Sequence, residues 1–499
     1  MLLALIVVGG LAAVYWVTWR IKNRRLLDLA SKLPGPPTVP ILGNALRFMN
    51  TDLIEEIEKL LKDYGDISRF WLGPDLNVIV NDPDELKCLL SNPKTNAKGP
   101  QYKYMADFLG GGILSGSGPT WRKHRKIANP NYGKRAIESY SDIFNKEVDA
   151  LIERFRRRVG IQHNLYEEVV LTTTYSVCQT LIGLTKEQTM TLPHLKNIVS
   201  ETGFLYSLVF SRMTKWYLQI DPVYWMTKYF QKQKRFMSMM TEFCQTIVSY
   251  RLNNLRLLED ELKEDLMNAD SDSKKNTGLS VIDRFILSKD FNRSELFNET
   301  FTVFTSSQEA TAKIASYLLL MMAYHPKCQE KLYQEIKDVI GEERRPITDD
   351  DLQQMVYLDM VFKEIIRLFP IGAMLQRTVT EDIALKSYVL PAGCSLVIPI
   401  FQLQRDPRYW SNPNDFDPER FNPENTKLRH PNCYLPFSLG PMDCLGRYFG
   451  TKLVKMLCAR VIQEFKLSSS ESYKDLRVNI SISVASVNGF PATVHPRNT

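Results

Sequence analysis

Over most of this chain apolar positions recur three and four residues apart, and strictly alternating runs are few. That pattern predicts a mainly α protein with small β-sheets, an α+β fold. The first apolar run, residues 2 to 19, carries no charge. Its length is at the lower end for crossing a bilayer, and Trp16 and Trp19 suit a membrane interface. Arg20, Lys22, Arg24 and Arg25 follow at once, which places what comes next in the cytosol. A cleaved signal peptide normally carries its positive charge ahead of the apolar run, so residues 1–19 read as an uncleaved transmembrane anchor. Residues 20–37 read as a basic and proline-rich hinge. It ends in Leu33-Pro34-Gly35-Pro36-Pro37, which cannot continue a helix because proline lacks a donor and restrains its predecessor. Residues 38–499 form the globular part.

Within that part, Leu53, Ile57, Leu60 and Leu61 share one face of a helix over 52–64. Ile67 to Leu72 and Val78 to Val80 flank Gly73-Pro74-Asp75 and predict a hairpin. Asp82-Pro83 opens a short helix, and helical patterns dominate from residue 84 to about 370. One of them runs from about Ser294 to His325 and stops at Pro326; at about 1.5 Å per residue it crosses a whole domain. Phe449, Leu453, Leu457 and Val461 recur every four residues and predict another helix. Residues 205–245 are rich in aromatics and methionine, and the polar stretch 259–278 reads as a surface loop. Val379 to Pro399 and Val478 to Ile482 alternate like strands.

Composition narrows the function classes. A chain of 499 residues with 44% hydrophobic and 24% charged residues is an ordinary globular mixture. A net charge of +7 without a dense arginine-lysine tract suits an acidic protein partner or a membrane surface, and argues against nucleic acid. The eight cysteines show neither zinc-site pairs nor the spacing of a secreted disulfide framework, as expected of reduced thiols facing the cytosol.

The chemistry concentrates in four places. Phe437-Ser438-Leu439-Gly440-Pro441-Met442-Asp443-Cys444-Leu445-Gly446 brings one cysteine to a helix N-terminus, where the macrodipole favours a thiolate. Gly440 and Gly446 would let backbone approach something large and flat, although a lone cysteine is more often a small buried hydrophobe. Trp121 and Arg125, four apart, share a helix face and can bind a carboxylate through an indole N–H and a guanidinium. Glu309 stands among hydroxyls in an apolar helix, which is costly unless it is paired, solvated or functional. Glu364 and Arg367 are spaced to pair on a helix.

The segment Phe437-x-x-Gly440-x-x-x-Cys444-x-Gly446 resembles the cysteine loop of the cytochrome P450 family. Three further motifs of that family lie upstream in order: Trp121-x-x-x-Arg125, the segment ending Glu309-Ala310-Thr311, and Glu364-x-x-Arg367 followed by Phe416-Asp417-Pro418-Glu419-Arg420-Phe421. The resemblance implies the P450 fold, with haem b between the Glu309 helix and the Cys444 helix. Cys444 would be the axial thiolate on iron, with Phe437, Gly440 and Gly446 beside the haem. Trp121, Arg125 and Arg377 would hold propionates, and Glu309 and Thr311 would serve proton delivery. Glu364, Arg367 and Arg420 would lock the chain leading to the cysteine. Two positions depart from the family: Ala310 replaces the first threonine of the oxygen-binding helix, and Met442 replaces an arginine that usually reaches a propionate.

No glycine-rich nucleotide motif in the needed strand context is present. The resemblance therefore implies electrons from NADPH-cytochrome P450 reductase, with cytochrome b5 as a further partner and Lys123, Lys126, Lys134 and Arg135 as a basic docking surface. It implies a monooxygenase of the microsomal type with insect likeness, in the endoplasmic reticulum membrane and facing the cytosol. The substrate would be lipophilic, of the fatty-acid, steroid or xenobiotic kind. Two alternatives stay open on the sequence. One is a haem-thiolate isomerase or dehydratase, favoured by Ala310; the other is a haem-binding protein with little turnover, favoured by Ala310 and Met442 together.

Overall fold

The computed structural model describes residues 2–49, 52–266, 278–288 and 291–497. Its first helix, Leu2–Lys22, continues through the basic residues expected to open the hinge, and a second follows at Arg24–Ser31. Among the described residues no helix is long and apolar enough to cross a membrane. The proline-rich segment is not a free spacer. Pro34 O accepts a hydrogen bond from the Arg69 backbone N–H at 2.8 Å, and Pro37 O accepts from Asn44 Nδ2 at 2.8 Å. Gly35 comes so near the same strand that a Cβ there would lie 2.2 Å from Arg69 O. Proline supplies carbonyl acceptors but no donor, so this stretch can line a strand without pairing fully with it.

The expected helix forms at Leu53–Tyr64, with Asp52 capping Ile54 N–H and Ile57 and Leu60 buried. The hairpin Ile67–Leu72/Asp75–Val80 forms as its alternation demands. It belongs to a five-stranded sheet that continues through Ser395–Ile398, Leu375–Thr378 and the two-residue strand Ala97–Lys98. Asp75–Val80 pairs parallel with Ser395–Ile398, and the other pairs are antiparallel. Of the alternation read from Val379 to Pro399, only Ser395–Ile398 joins this sheet. Ile383–Ala384 and Val389–Leu390 make a separate small hairpin.

The central helix, Arg293–Tyr324, is 32 residues long and runs through the protein. Asn292 starts it with a capping box to Glu295, satisfying two of the otherwise orphaned N–H groups. It packs on Leu165–Val177, where Thr173 Oγ1 donates to Gln308 O at 3.0 Å, and it crosses the cysteine helix Arg447–Glu464. That crossing is close at Gly450, where a Cβ would lie 3.7 Å from Thr311 Oγ1. Phe449, Leu453, Leu457 and Val461 are all buried on the cysteine helix, as their period requires. Each such side chain contributes about 1.5–3 kcal/mol.

The stretch expected as a loop over 259–278 is helical at its start, because the helix Lys228–Leu266 continues into it. Residues 267–277 lie outside the described residues.

Glu364 and Arg367 are fully buried on the helix Val356–Leu368. Arg367 Nε and Nη2 donate to the two Glu364 oxygens at 2.7 and 2.8 Å. Its remaining donors reach the carbonyls of Gln404, Pro413 and Asp415. Arg420 Nε lies 3.4 Å from Glu364, and Asp417 N–H donates to the same carboxylate at 2.9 Å. This network secures the irregular chain that leads to the cysteine.

Candidate functional site

Cys444 is positioned by its own loop. Its N–H donates to Phe437 O at 2.9 Å, and Ser438 and Gly440 adopt left-handed backbone with φ of 62° and 78°. At Gly440 a Cβ would meet Leu90 O at 2.1 Å. This glycine also packs closely on the helix Pro83–Ser91, where a side chain would not fit. Around Gly446 nothing lies within 4 Å, so that glycine does border open space. It is also the N-cap of the cysteine helix, and its N–H hydrogen-bonds the Cys444 sulfur.

Burial pushes the Cys444 thiol up, and Asp443 adds to this; the Gly446 N–H, Arg125 and Arg447 lower it without reversing the direction. A metal bound at Sγ would favour the thiolate. Cys444 sits deep among protein atoms yet retains accessible surface. It opens on a recess of about 200 Å³ that Arg125, Tyr132 and Leu445 also line.

The central helix reaches this recess through Tyr132, which lines it. Between Glu299 and Ala323 only Ser306, Ser307 and Ala310 keep appreciable accessible surface, and their spacing puts them on one face. Tyr132 links this face to the cysteine: its hydroxyl hydrogen-bonds Ser307, and its phenol, pushed up chiefly by burial, is pushed further by Cys444.

A cluster of cations completes the site. The short strand Ala97–Lys98 pairs with Leu375–Thr378 so that Lys98 stands opposite Arg377. Burial drives the Lys98 ammonium well below its ordinary range, and Arg377 and then Arg125 push it further. Burial likewise lowers the Arg377 guanidinium, which is 2% exposed and is met by the Tyr102 hydroxyl and Gln376 O. No carboxylate acts on Lys98 or Arg377 among the described residues. Directly opposed like charges are destabilising, and buried charges need partners. Carboxylates arriving on a ligand would supply them. Arg125 also bonds to the protein, donating to Asp443 O and Oδ1, each at 2.7 Å, and Trp121 is buried one turn earlier on Gly118–Ala128. A thiol open to the interior, a clear space at Gly446 and an anion cradle fit haem with its two propionates. Met442 is buried and apolar, and Lys98 brings a cation that sequence reasoning missed. A two-residue strand has no periodicity to reveal it.

Glu309 is 2% exposed and pairs with Lys313, one turn along the same helix. Ser483 Oγ lies 3.3 Å from Glu309, and Lys313 Nζ is 2.5 Å from Ser483. Thr311 turns elsewhere: its hydroxyl donates to Ser307 O at 2.6 Å and packs near Gly450. The structure therefore does not bring Glu309 and Thr311 together. It does bring together His124 and Glu299, buried and 2.6 Å apart, where Glu299 also accepts from Ile113 N–H at 2.8 Å. This pair ties the Trp121 helix to the central helix. Phe437 lies under the Arg447 guanidinium at 5.8 Å.

Comparison with known proteins gives a consistent result. The family model described as Cytochrome P450 matches residues 33–487. The chain is 28% identical to "Cytochrome P450 4c3" of Drosophila melanogaster, covering 98% of this chain and 94% of that protein. It is 27% identical to "Cytochrome P450 4V2" of Homo sapiens, covering 93% and 90%. It is 24% identical to "Cytochrome P450 4g15" of Drosophila melanogaster, covering 97% and 96%.

Proposed function

This chain belongs to the cytochrome P450 family of haem-thiolate monooxygenases, and on that premise we propose that it is a membrane-anchored member that oxygenates a lipophilic substrate. The observation that carries this reading is the pair Lys98 and Arg377, on which no carboxylate acts among the described residues, near Arg125 and a cysteine that keeps accessible surface. In this reading Cys444 would bind the haem iron through its thiolate, with Gly446 and Phe437 beside the haem. Trp121, Arg125, Arg377 and Lys98 hold the propionates. When bound, haem supplies the oxygen chemistry and the redox change.

The chain's own part is to position, to exclude water and to carry protons. Glu309 is the acid closest in sequence to the open face of the central helix and serves as the proton carrier. Ala310 offers no hydroxyl, and that of Thr311 is committed to Ser307 O. Ser306 and Ser307 are the hydroxyls on the open face; that of Ser306 donates to Thr302 O and that of Ser307 meets Tyr132, so protons from Glu309 pass along Ser307 or along ordered water.

Electrons come from NADPH through a flavoprotein reductase, with cytochrome b5 as a further donor, docking where Lys123, Lys126, Lys134 and Arg135 are exposed. Residues 2–19, free of charge, anchor the chain in the endoplasmic reticulum membrane with the site facing the cytosol. Exposed Val223, Trp225, Met226 and Tyr229 add a second apolar contact with that membrane.

The test is the reduced, carbon monoxide-bound absorption spectrum of the protein beside Cys444→Ser, followed by NADPH consumption with purified reductase. A red-shifted Soret band that is lost in the variant, with reductase-dependent turnover, is the expected result. A folded, haem-supplied protein without that band would overturn the assignment of Cys444. Turnover that is independent of reductase would replace monooxygenation with rearrangement of a preoxidised substrate.

A further inference from the structure

The buried pair Glu309–Lys313 is not among the residues assigned to haem. Its orientation, with the acid four residues before the base, is the favourable one on a helix. Both ends are also held from far away in sequence, since Ser483 contacts Lys313 and Glu309 alike. Ser483 stands in the turn between the paired strands Val478–Ile480 and Val484–Ser486. The side chain that sequence reasoning placed in proton delivery is thus tied toward the C-terminal hairpin.

The surroundings of Glu309 make Lys313 decisive. Tyr166, at the start of Leu165–Val177, Tyr206, on Leu195–Thr214, and Tyr317, on the central helix, all feel the Glu309 charge. Their phenols are pushed up, first by burial, so they stay neutral and bring no positive charge. Ser483 is a neutral donor. Lys313 is the one cation paired with Glu309 among the described residues.

We infer that Lys313 is a positioning residue: with Ser483 it holds Glu309 turned to the C-terminal hairpin, so that Glu309 meets the Ser306/Ser307/Ala310 face only when this clamp opens. The inference rests on the reading of Glu309 as proton carrier for its consequence, but the clamp itself stands on geometry alone. A buried carboxylate stripped of its only cation does not stay charged; it takes up a proton. A movement of the hairpin turn is transmitted to the acid through Ser483.

Infrared difference spectroscopy of the resting full-length holoprotein tests the clamp without turnover. At neutral pH Lys313→Met shows a protonated-carboxyl band that is absent in the unmodified protein, absent in Lys313→Arg, and removed in Lys313→Met/Glu309→Gln. In Ser483→Ala, a milder change that leaves the helix intact, this band emerges at higher pH than in the unmodified protein, because the carboxylate loses a donor. A Lys313→Met protein with an intact carbon monoxide spectrum and no such band overturns the inference, as does an unmoved titration in Ser483→Ala. With reductase and dodecanoic acid as probe, Lys313→Met lowers product formed per NADPH by about tenfold, the low end for a displaced general acid. If the band appears and coupling is unchanged, the clamp stands and the proton role of Glu309 falls.

Discussion

Two groups of buried arginines serve the cysteine loop, and they are built on opposite plans. Around Arg367 every donor has an acceptor: Glu364 takes two, and three carbonyls of the chain leading to the loop take the rest. Around Arg377 cations face one another, and only the outlying Arg125 has a carboxylate, that of Asp443. Lys98 stands opposite it, Arg125 is near, and no carboxylate balances Lys98 or Arg377 among the described residues. Burial costs a charge several kcal/mol, so a self-sufficient protein would not leave the second group in this state. The first group is a lock that the chain completes by itself, and the second, in the proposed reading, is a cradle that a ligand would complete.

The largest effect is expected from breaking the lock. Arg367→Ala leaves Glu364 buried without its main partner, at a cost of about 3–5 kcal/mol. Denaturant unfolding is expected to show the loss equally in the haem-free and haem-loaded proteins. The cradle separates the two forms. Lys98→Met or Arg377→Met removes repulsion from the haem-free protein, which is expected to be as stable as before or more so. Each change weakens haem binding by about ten- to a hundredfold in a hemin titration, as befits a lost hydrogen bond to a charged group. Equal loss of stability in both forms would make the cradle a second lock.

The smallest effect comes from a pair whose base stays partly in water, and it calibrates the other two. Arg345 beside Asp351 holds that carboxyl down at about 2, from an ordinary 3.8, with the Thr348 cap assisting. A depressed folded-state value stabilises above the unfolded value and is lost as pH falls through the folded one. The contribution is therefore complete above about pH 4 and gone near pH 2. It amounts to about 1–2 kcal/mol after allowance for the 38% exposure of the Arg345 side chain. Asp351→Asn should flatten the acid limb of stability against pH by that amount, and an unchanged limb would remove the pair from the account.

Local chemistry made much of this legible in advance. The helix Leu53–Tyr64, the hairpin after it and the central helix follow from period, caps and prolines that act within a few residues. The Glu364–Arg367 pair lies within one helical turn and was equally plain. Lys313 carries the same local signal beside Glu309, since it lies one turn on, whereas the reach of Ser483 across the fold carries none.

What the amino-acid sequence by itself determined was the set of elements and the order of the motifs: a mainly helical chain, one cysteine delivered by a bend to a helix, and an acid in a long apolar helix. Only the tertiary structure decided which way those groups point. It opposed Lys98 to Arg377 through strand register, turned Thr311 to Gly450, and packed the tight backbone at Gly440 against Leu90. Periodicity and capping act over a turn of chain and are written there. Register, helix crossing and the pairing of buried charges join residues far apart in sequence, so they are settled only when the whole core closes.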